Sequence, residues 1–127
     1  MFTYFSIMFG GAIGTGARYW LSGFIAQRAG ETFPLGTLAV NISGCFVLGV
    51  FAALTDPGGR LFASPSFRQF FMIGLCGGYT TFSSFSLQTL NLAADGDWLK
   101  AALNSIFSLA GCIAATWLGR VLVLAFT

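Results

Sequence analysis

Four stretches of mainly apolar residues, each long enough to cross a bilayer, take up almost the whole of this 127-residue chain and leave it few ways to fold. They run over residues 3–25, 34–54, 67–93 and 98–126. A spanning helix needs roughly 20 mainly apolar residues, and each stretch supplies them. The pieces between them are polar or rich in turn residues, with Asp56-Pro57-Gly58-Gly59 and Ser64-Pro65 in the longest, as connections usually are. Only 8% of the residues are charged, against about 25% in soluble domains, so a water-soluble fold of this size would lack polar surface. The expectation is an all-α membrane protein, a four-helix bundle forming one transmembrane domain over 1–127. The first stretch has no basic leader and outruns a signal core, so it reads as a retained span.

With four spans, both ends of the chain share a side with the connection between spans two and three. That side holds Arg60, Arg68 and Arg120, and the other holds Arg18, Arg28 and Lys100. Orientation follows an excess of Lys and Arg on the cytoplasmic side, and here the sides balance. A chain without that bias can insert either way up. Two oppositely inserted copies could pair about an axis in the membrane plane, building from two chains the inverted repeat that many transporters carry in one. A single fixed topology that this count fails to detect is the alternative. Gly10 and Gly14 in the first span, and Gly74 and Gly78 in the third, lie four apart, the spacing that lets helix backbones approach closely.

All four acids, Glu31, Asp56, Asp95 and Asp97, fall in the connections, and histidine is absent. Proton-coupled exporters and cation transporters need an ionisable group at depth, and general acid–base chemistry needs the same players. Enzyme function is therefore not expected. Cys45, Cys76 and Cys112 lie one to a span, read as small packing residues, and have no metal-binding spacing.

The interior polar groups are neutral. Asn41 lies in span two, and Thr80, Thr81, Ser83, Ser84 and Ser86 cluster in span three. In span four, Asn104, Ser108, Cys112 and Thr116 recur every four residues and so share one helix face. Interhelical hydrogen bonding explains part of such a stripe. A continuous row of uncharged donors also suits an anion that must both enter and leave.

The run from Gly74 to Ser86, GLCGGYTTFSSFS, is the most informative. Gly77 and Gly78 followed by β-branched Thr80 and Thr81 make a poor continuous helix, so the reading predicts a break in the middle of the span. Carbonyls freed there must be satisfied. A kink closed by neighbouring hydroxyls would do so, and so would a bound cation of the kind that unwound carbonyls coordinate. Phe82 and Phe85, three apart, project from one face just beyond. Aromatic rings have positive edges, which could favour a small anion without fixing it.

This run, the stretch from Pro34 to Gly44 (PLGTLAVNISG) and the end of the first span at Gly16-Ala17-Arg18-Tyr19 together resemble the CrcB/Fluc fluoride channels, in register and over nearly the whole chain. The resemblance implies an antiparallel, dual-topology homodimer in the bacterial inner (plasma) membrane that conducts fluoride passively outward and lowers its toxicity. It implies ion paths lined by Phe82 and Phe85, with Asn41 as an amide donor and Ser83, Ser84, Ser108 and Thr116 as a polar track. It places Arg18 at a vestibule, and gives the Gly77 and Thr80 carbonyls to a structural Na+ that is not transported. Two positions depart from the pattern: Gln88 stands where relatives often carry Glu, and Asn104 where some carry an aromatic. Those changes bear on conduction rate more than on ion identity. The competing readings are a small multidrug-type exporter, which would need an embedded Glu in the first span, and a non-conducting assembly subunit.

Overall fold

The four apolar stretches form four helical rods, seen here in a computed structural model that describes residues 1–126. Thr127, the last residue of the expected domain, lies outside the described residues. The elements are α1 (Phe2–Ala29), α2 (Leu35–Thr55), a composite third rod and α6 (Trp98–Ala125), with no strand among the described residues. The third rod begins as α3 (Pro65–Gln69), widens into a π-helical turn over Phe70–Cys76, narrows to α4 (Gly77–Tyr79) and resumes as α5 (Phe82–Ala94).

Local chemistry sets these boundaries. α1 continues past residue 25 to Ala29 and stops where Gly30 takes a left-handed φ of 83°. Ser64 caps α3 by accepting from Phe67 N–H at 3.2 Å, with Pro65 at the first helical position, where its missing N–H costs nothing. Asp97 caps α6 by accepting from Lys100 N–H at 3.4 Å. Between α2 and α3, Arg68 donates to the Thr55 carbonyl at 3.3 Å and pairs with Asp56 at 3.1 Å, tying that connection to both rods.

The rods close into a ring. α2 packs most extensively on α6, α1 on the π-helical part of the third rod, and α5 against α6 completes the circuit. Phe51 of α2 stacks on Phe71 with ring centroids 4.1 Å apart, joining the second rod to the third. α2 and α6 are long and apolar enough to cross a membrane by themselves. At 28 residues, α1 is about 42 Å long, more than the hydrocarbon core requires.

The distribution of side chains is the reverse of a soluble bundle. Among the described residues, the only buried hydrophobic ones are Val40, Cys76, Ala101 and Ala115. The rest of the interior is glycine and small polar groups: Gly10, Gly14, Gly44, Gly74, Thr37, Asn41, Asn104 and Ser108 among them. The large apolar side chains point outward, from Phe2, Phe5, Phe9 and Trp20 on α1 to Phe107, Ile113 and Trp117 on α6. Lipid tolerates such an exterior and removes the hydrophobic drive to bury it, so rod association falls to close backbone packing.

That packing uses the two glycine pairs. A Cβ at Gly74 would lie 2.7 Å from the Ile7 carbonyl, and one at Gly78 would lie 2.6 Å from that of Gly11. Both obstacles are backbone, which cannot swing aside. Gly78→Ala should therefore lower stability in detergent by about 1–3 kcal/mol, seen as a reduced thermal midpoint. Gly23→Ala, where a Cβ meets open space, should stay within about 0.5 kcal/mol of the parent.

Candidate functional site

The interruption of the third rod organises the site. Thr80 (φ −111°, ψ 120°) and Thr81 (φ −129°, ψ 110°) are extended, so the helical hydrogen-bond ladder stops at Tyr79 and restarts at Phe82. Gly77 and Gly78 remain helical; Gly78 serves the crossing with α1, and the β-branched pair carries the break. A π-helical turn directly before it is the kind of irregularity often found at functional sites.

The freed backbone groups find partners from other rods. Asn41 of α2, 8% exposed, faces Thr81. Its Oδ1 accepts from Thr81 N–H at 2.5 Å and its Nδ2 donates to the Thr81 carbonyl at 3.1 Å, so one amide side chain reproduces a backbone pairing. Arg18 of α1 donates from Nε to the Gly78 carbonyl at 3.1 Å. The Thr80 hydroxyl donates to the Cys76 carbonyl at 3.1 Å. The Thr81 hydroxyl caps α5 by accepting from Ser84 N–H at 3.1 Å, donates to Ser84 Oγ at 3.1 Å and touches Ser83 Oγ at 3.2 Å. Below the break, Tyr79 OH and Ser43 Oγ share a hydrogen bond of 2.7 Å.

Beside the break lies a cavity of about 490 Å³ lined by Asn41, Thr80, Thr81, Phe82, Phe85, Ser108 and, less expectedly, Cys45, Ser105 and Cys112. The Phe82 and Phe85 rings are tilted at 52° with centroids 5.3 Å apart, and Phe82 is 77% exposed. Ion pairs join Asp56 to Arg68 and Asp97 to Lys100, in or at the edge of the connections, and no carboxylate lines the cavity. Its polar groups are amides, hydroxyls and thiols.

The expected residues therefore separate into groups. Asn41, Thr80, Phe82, Phe85 and Ser108 meet at one cavity. Ser83 and Ser84 gather around the Thr81 hydroxyl. Thr116 turns back to the Cys112 carbonyl at 3.0 Å and does not line the cavity. Arg18 reaches the break itself. One Asn41 N–H is spent on Thr81, leaving its second for the cavity. Asn104, 2% exposed, donates to Thr89 Oγ1 at 2.9 Å and accepts from Ser108 Oγ at 3.4 Å. Gln88 instead keeps a buried Oε1 without a partner, beside a second cavity near the α1–α2 connection.

Gly77 and Thr80 can be tested as cation ligands by their hydrogen bonding. A continuous helix would bring the Thr81 N–H to the Gly77 carbonyl, and Asn41 has taken it. Thr80 lies in extended backbone, and the Ser84 N–H turns to the Thr81 hydroxyl. Two uncharged carbonyls at the break, one from the last helical turn and one from extended backbone, fit a hard monovalent cation by donor chemistry. They are too few to replace its water by themselves.

The sequence places Thr81 only in the polar cluster and Cys112 only in the α6 stripe, reads Cys45 as a packing residue and does not single out Ser105. Thr81 carries a readable signal, a hydroxyl three residues before the amide it caps, and Cys45 follows Asn41 by one helical turn.

A helical bundle with an apolar exterior and uncharged donors around its cavity has the build of a membrane protein. The chain belongs to the CrcB family: the profile of the CrcB-like protein, Camphor Resistance (CrcB), matches residues 5–120. Among its relatives, a protein of Rhodospirillum rubrum named fluoride-specific ion channel FluC is 57% identical over 119 residues, 94% of this chain and 92% of the relative. Proteins of the same name from Paramagnetospirillum magneticum and Opitutus terrae are each 54% identical, over 95% of this chain and 94% and 92% of theirs.

The Asn41–Thr81 pairing makes a direct prediction. Asn41→Ala strands the Thr81 N–H and carbonyl, and an unsatisfied buried group costs about 1–3 kcal/mol. The thermal midpoint should fall, and exchange of the Thr81 amide should accelerate at least about tenfold, a change of about 1.4 kcal/mol in local opening.

Proposed function

We propose that this chain is a fluoride channel that lets the ion leave the cytoplasm passively and so limits its toxicity. The observation that carries the reading is the cavity at the helix break, where Phe82, Phe85, Asn41 and Ser108 offer ring edges and neutral donors and no carboxylate stands. The names of relatives at 54–57% identity support it. Fluoride holds water tightly, so a path must return hydrogen bonds for those removed, yet bind weakly enough to release the ion. Hydroxyl and amide groups donate without a fixed charge, and ring edges add a weak positive field. Ser83, Ser84 and Thr116 extend the polar track on this reading, and Arg18 raises the local anion concentration by its charge.

The four rods each span the bacterial inner membrane, with the Thr80–Thr81 break at depth. Two copies pair in opposite orientations. The even division of basic residues supports that pairing, as does the 77% exposure of Phe82 in a single chain, a pore ring that calls for a second wall. Gly77 and Thr80 of each copy would hold a structural Na+, whose chemistry is to neutralise carbonyl dipoles that no amide reaches. In this arrangement the chain's own residues do the rest: Asn41 fixes the break, and Arg18 occupies the neighbouring carbonyl.

Fluoride-electrode recording from proteoliposomes tests the function. The parent should release fluoride and retain chloride. Phe82→Ile and Phe85→Ile should each slow efflux at least about tenfold, some 1.4 kcal/mol in the barrier, with the assembly intact on gel filtration. Parent-like flux in both variants would remove the rings from the path.

Assembly and cation have separate readouts. A C-terminal tag should be accessible from both faces of sealed vesicles in similar amounts, and a one-sided tag would end the antiparallel proposal. Exchanging sodium for a large organic cation should lower the thermal midpoint of the parent, and an unchanged midpoint would remove the sodium.

A further inference from the structure

We propose that Cys45 and Cys112 form a binding site for a soft, thiophilic d10 metal ion, of the silver(I), copper(I) or mercury(II) kind, on the wall of the cavity that Phe82 and Phe85 line.

The two thiols are 67 residues apart in sequence (112 − 45) and neighbours in space. α2 and α6 run in the same direction, because Ile42 meets Gly111 at one level and Gly49 meets Thr116 further along both helices. Cys45 and Cys112 fall in the interval between these contacts and line the same cavity. Both thiols are free, half-buried and open to the cavity, whereas Cys76 is buried away from it.

Two sulfurs on the wall of one cavity, carried by two closely packed helices, are placed to close on a single ion as a chelate. Thiolates select soft ions over hard ones. Among the described residues no group of three His, Cys, Asp or Glu comes together, so the four-ligand site that zinc prefers is missing. Linear S–metal–S coordination needs only two donors. On binding, each S–H bond breaks, two protons pass to water and two sulfur–metal bonds form. Silver(I) or copper(I) between two thiolates carries a net charge of −1, and mercury(II) gives a neutral bridge. An anionic bridge beside the phenylalanines would repel fluoride, so metal would close the path. That last step rests on the channel reading; the binding site does not.

The test uses the purified full chain in nitrate buffer, titrated with silver against excess soluble monothiol. The second sulfur acts at high effective concentration, worth 10²-fold or more. The parent and Cys76→Ser should each keep about one silver per chain against roughly hundredfold competitor. Cys45→Ser and Cys112→Ser should each lose it. Retention by either single variant at the parent's level would overturn the site, and so would loss of the metal from Cys76→Ser alone. Fluoride efflux from the same preparations, each compared with its own metal-free rate, reads the second half. Silver should stop flux in the parent and in Cys76→Ser and spare Cys45→Ser. Silver held by both thiols with flux unaltered would leave the metal site standing and take the cavity out of the ion path.

Discussion

In hydrocarbon a peptide group has no water to turn to, so a helix can be interrupted only where something else meets its donors and acceptors. At the break in the third rod the pairing of Asn41 with Thr81 supplies such partners. The amide returns one acceptor and one donor to the extended strand, at 2.5 and 3.1 Å, from a rod 40 residues earlier in sequence. Arg18 and the Thr80 and Thr81 hydroxyls serve the adjoining groups. With those claims met, the Gly77 and Thr80 carbonyls stand outside the helical ladder, and the phenylalanines begin a new helix beside the cavity.

The same constraint explains the rest of the bundle. With aliphatic surface worth nothing against lipid tails, the rods are held by contact between backbones and by a few interhelical hydrogen bonds. Glycine at positions 10, 14, 74 and 78 brings α1 against the third rod, while Gly49 and Gly119 bring α2 against α6. Asn104, almost fully buried, joins α6 to α5 through Thr89. The rigidity so gained holds the cavity side chains in place.

Much of this was legible before any coordinates. Apolar length located the rods, and the two glycine pairs marked surfaces of close helix contact without showing that they meet each other. Gly77 to Thr81 marked where the third helix would fail. Which of those residues carries the failure was not legible, because Gly77 and Gly78 and the β-branched Thr80 and Thr81 all disfavour helix. Gly78 stays helical by packing against Gly11, so the β-branched threonines unwind instead. Cross-rod partners were hidden for a different reason. The pairing of Asn41 with Thr81 and of Arg18 with Gly78, and the meeting of Cys45 and Cys112 at one cavity, depend on how each rod is turned about its axis. Weakly amphipathic helices do not announce that rotation. The four-residue stripe on α6 was real as a helix face, yet its ends diverge: Asn104 bonds within the bundle and Thr116 returns to its own helix.

An interior built from glycine and small polar groups inverts the usual map of mutational tolerance. In a soluble bundle the surface drifts freely and the core accepts exchanges among aliphatic residues. Here the outward rings of Phe2, Phe9, Trp20 and Trp117 can trade among apolar types so long as lipid remains their neighbour. Inside, a single methyl group at Gly10, Gly36 or Gly74 has backbone in its way. Directed evolution of this scaffold would therefore find its freedom on the outside, and almost none at the seams where the rods touch.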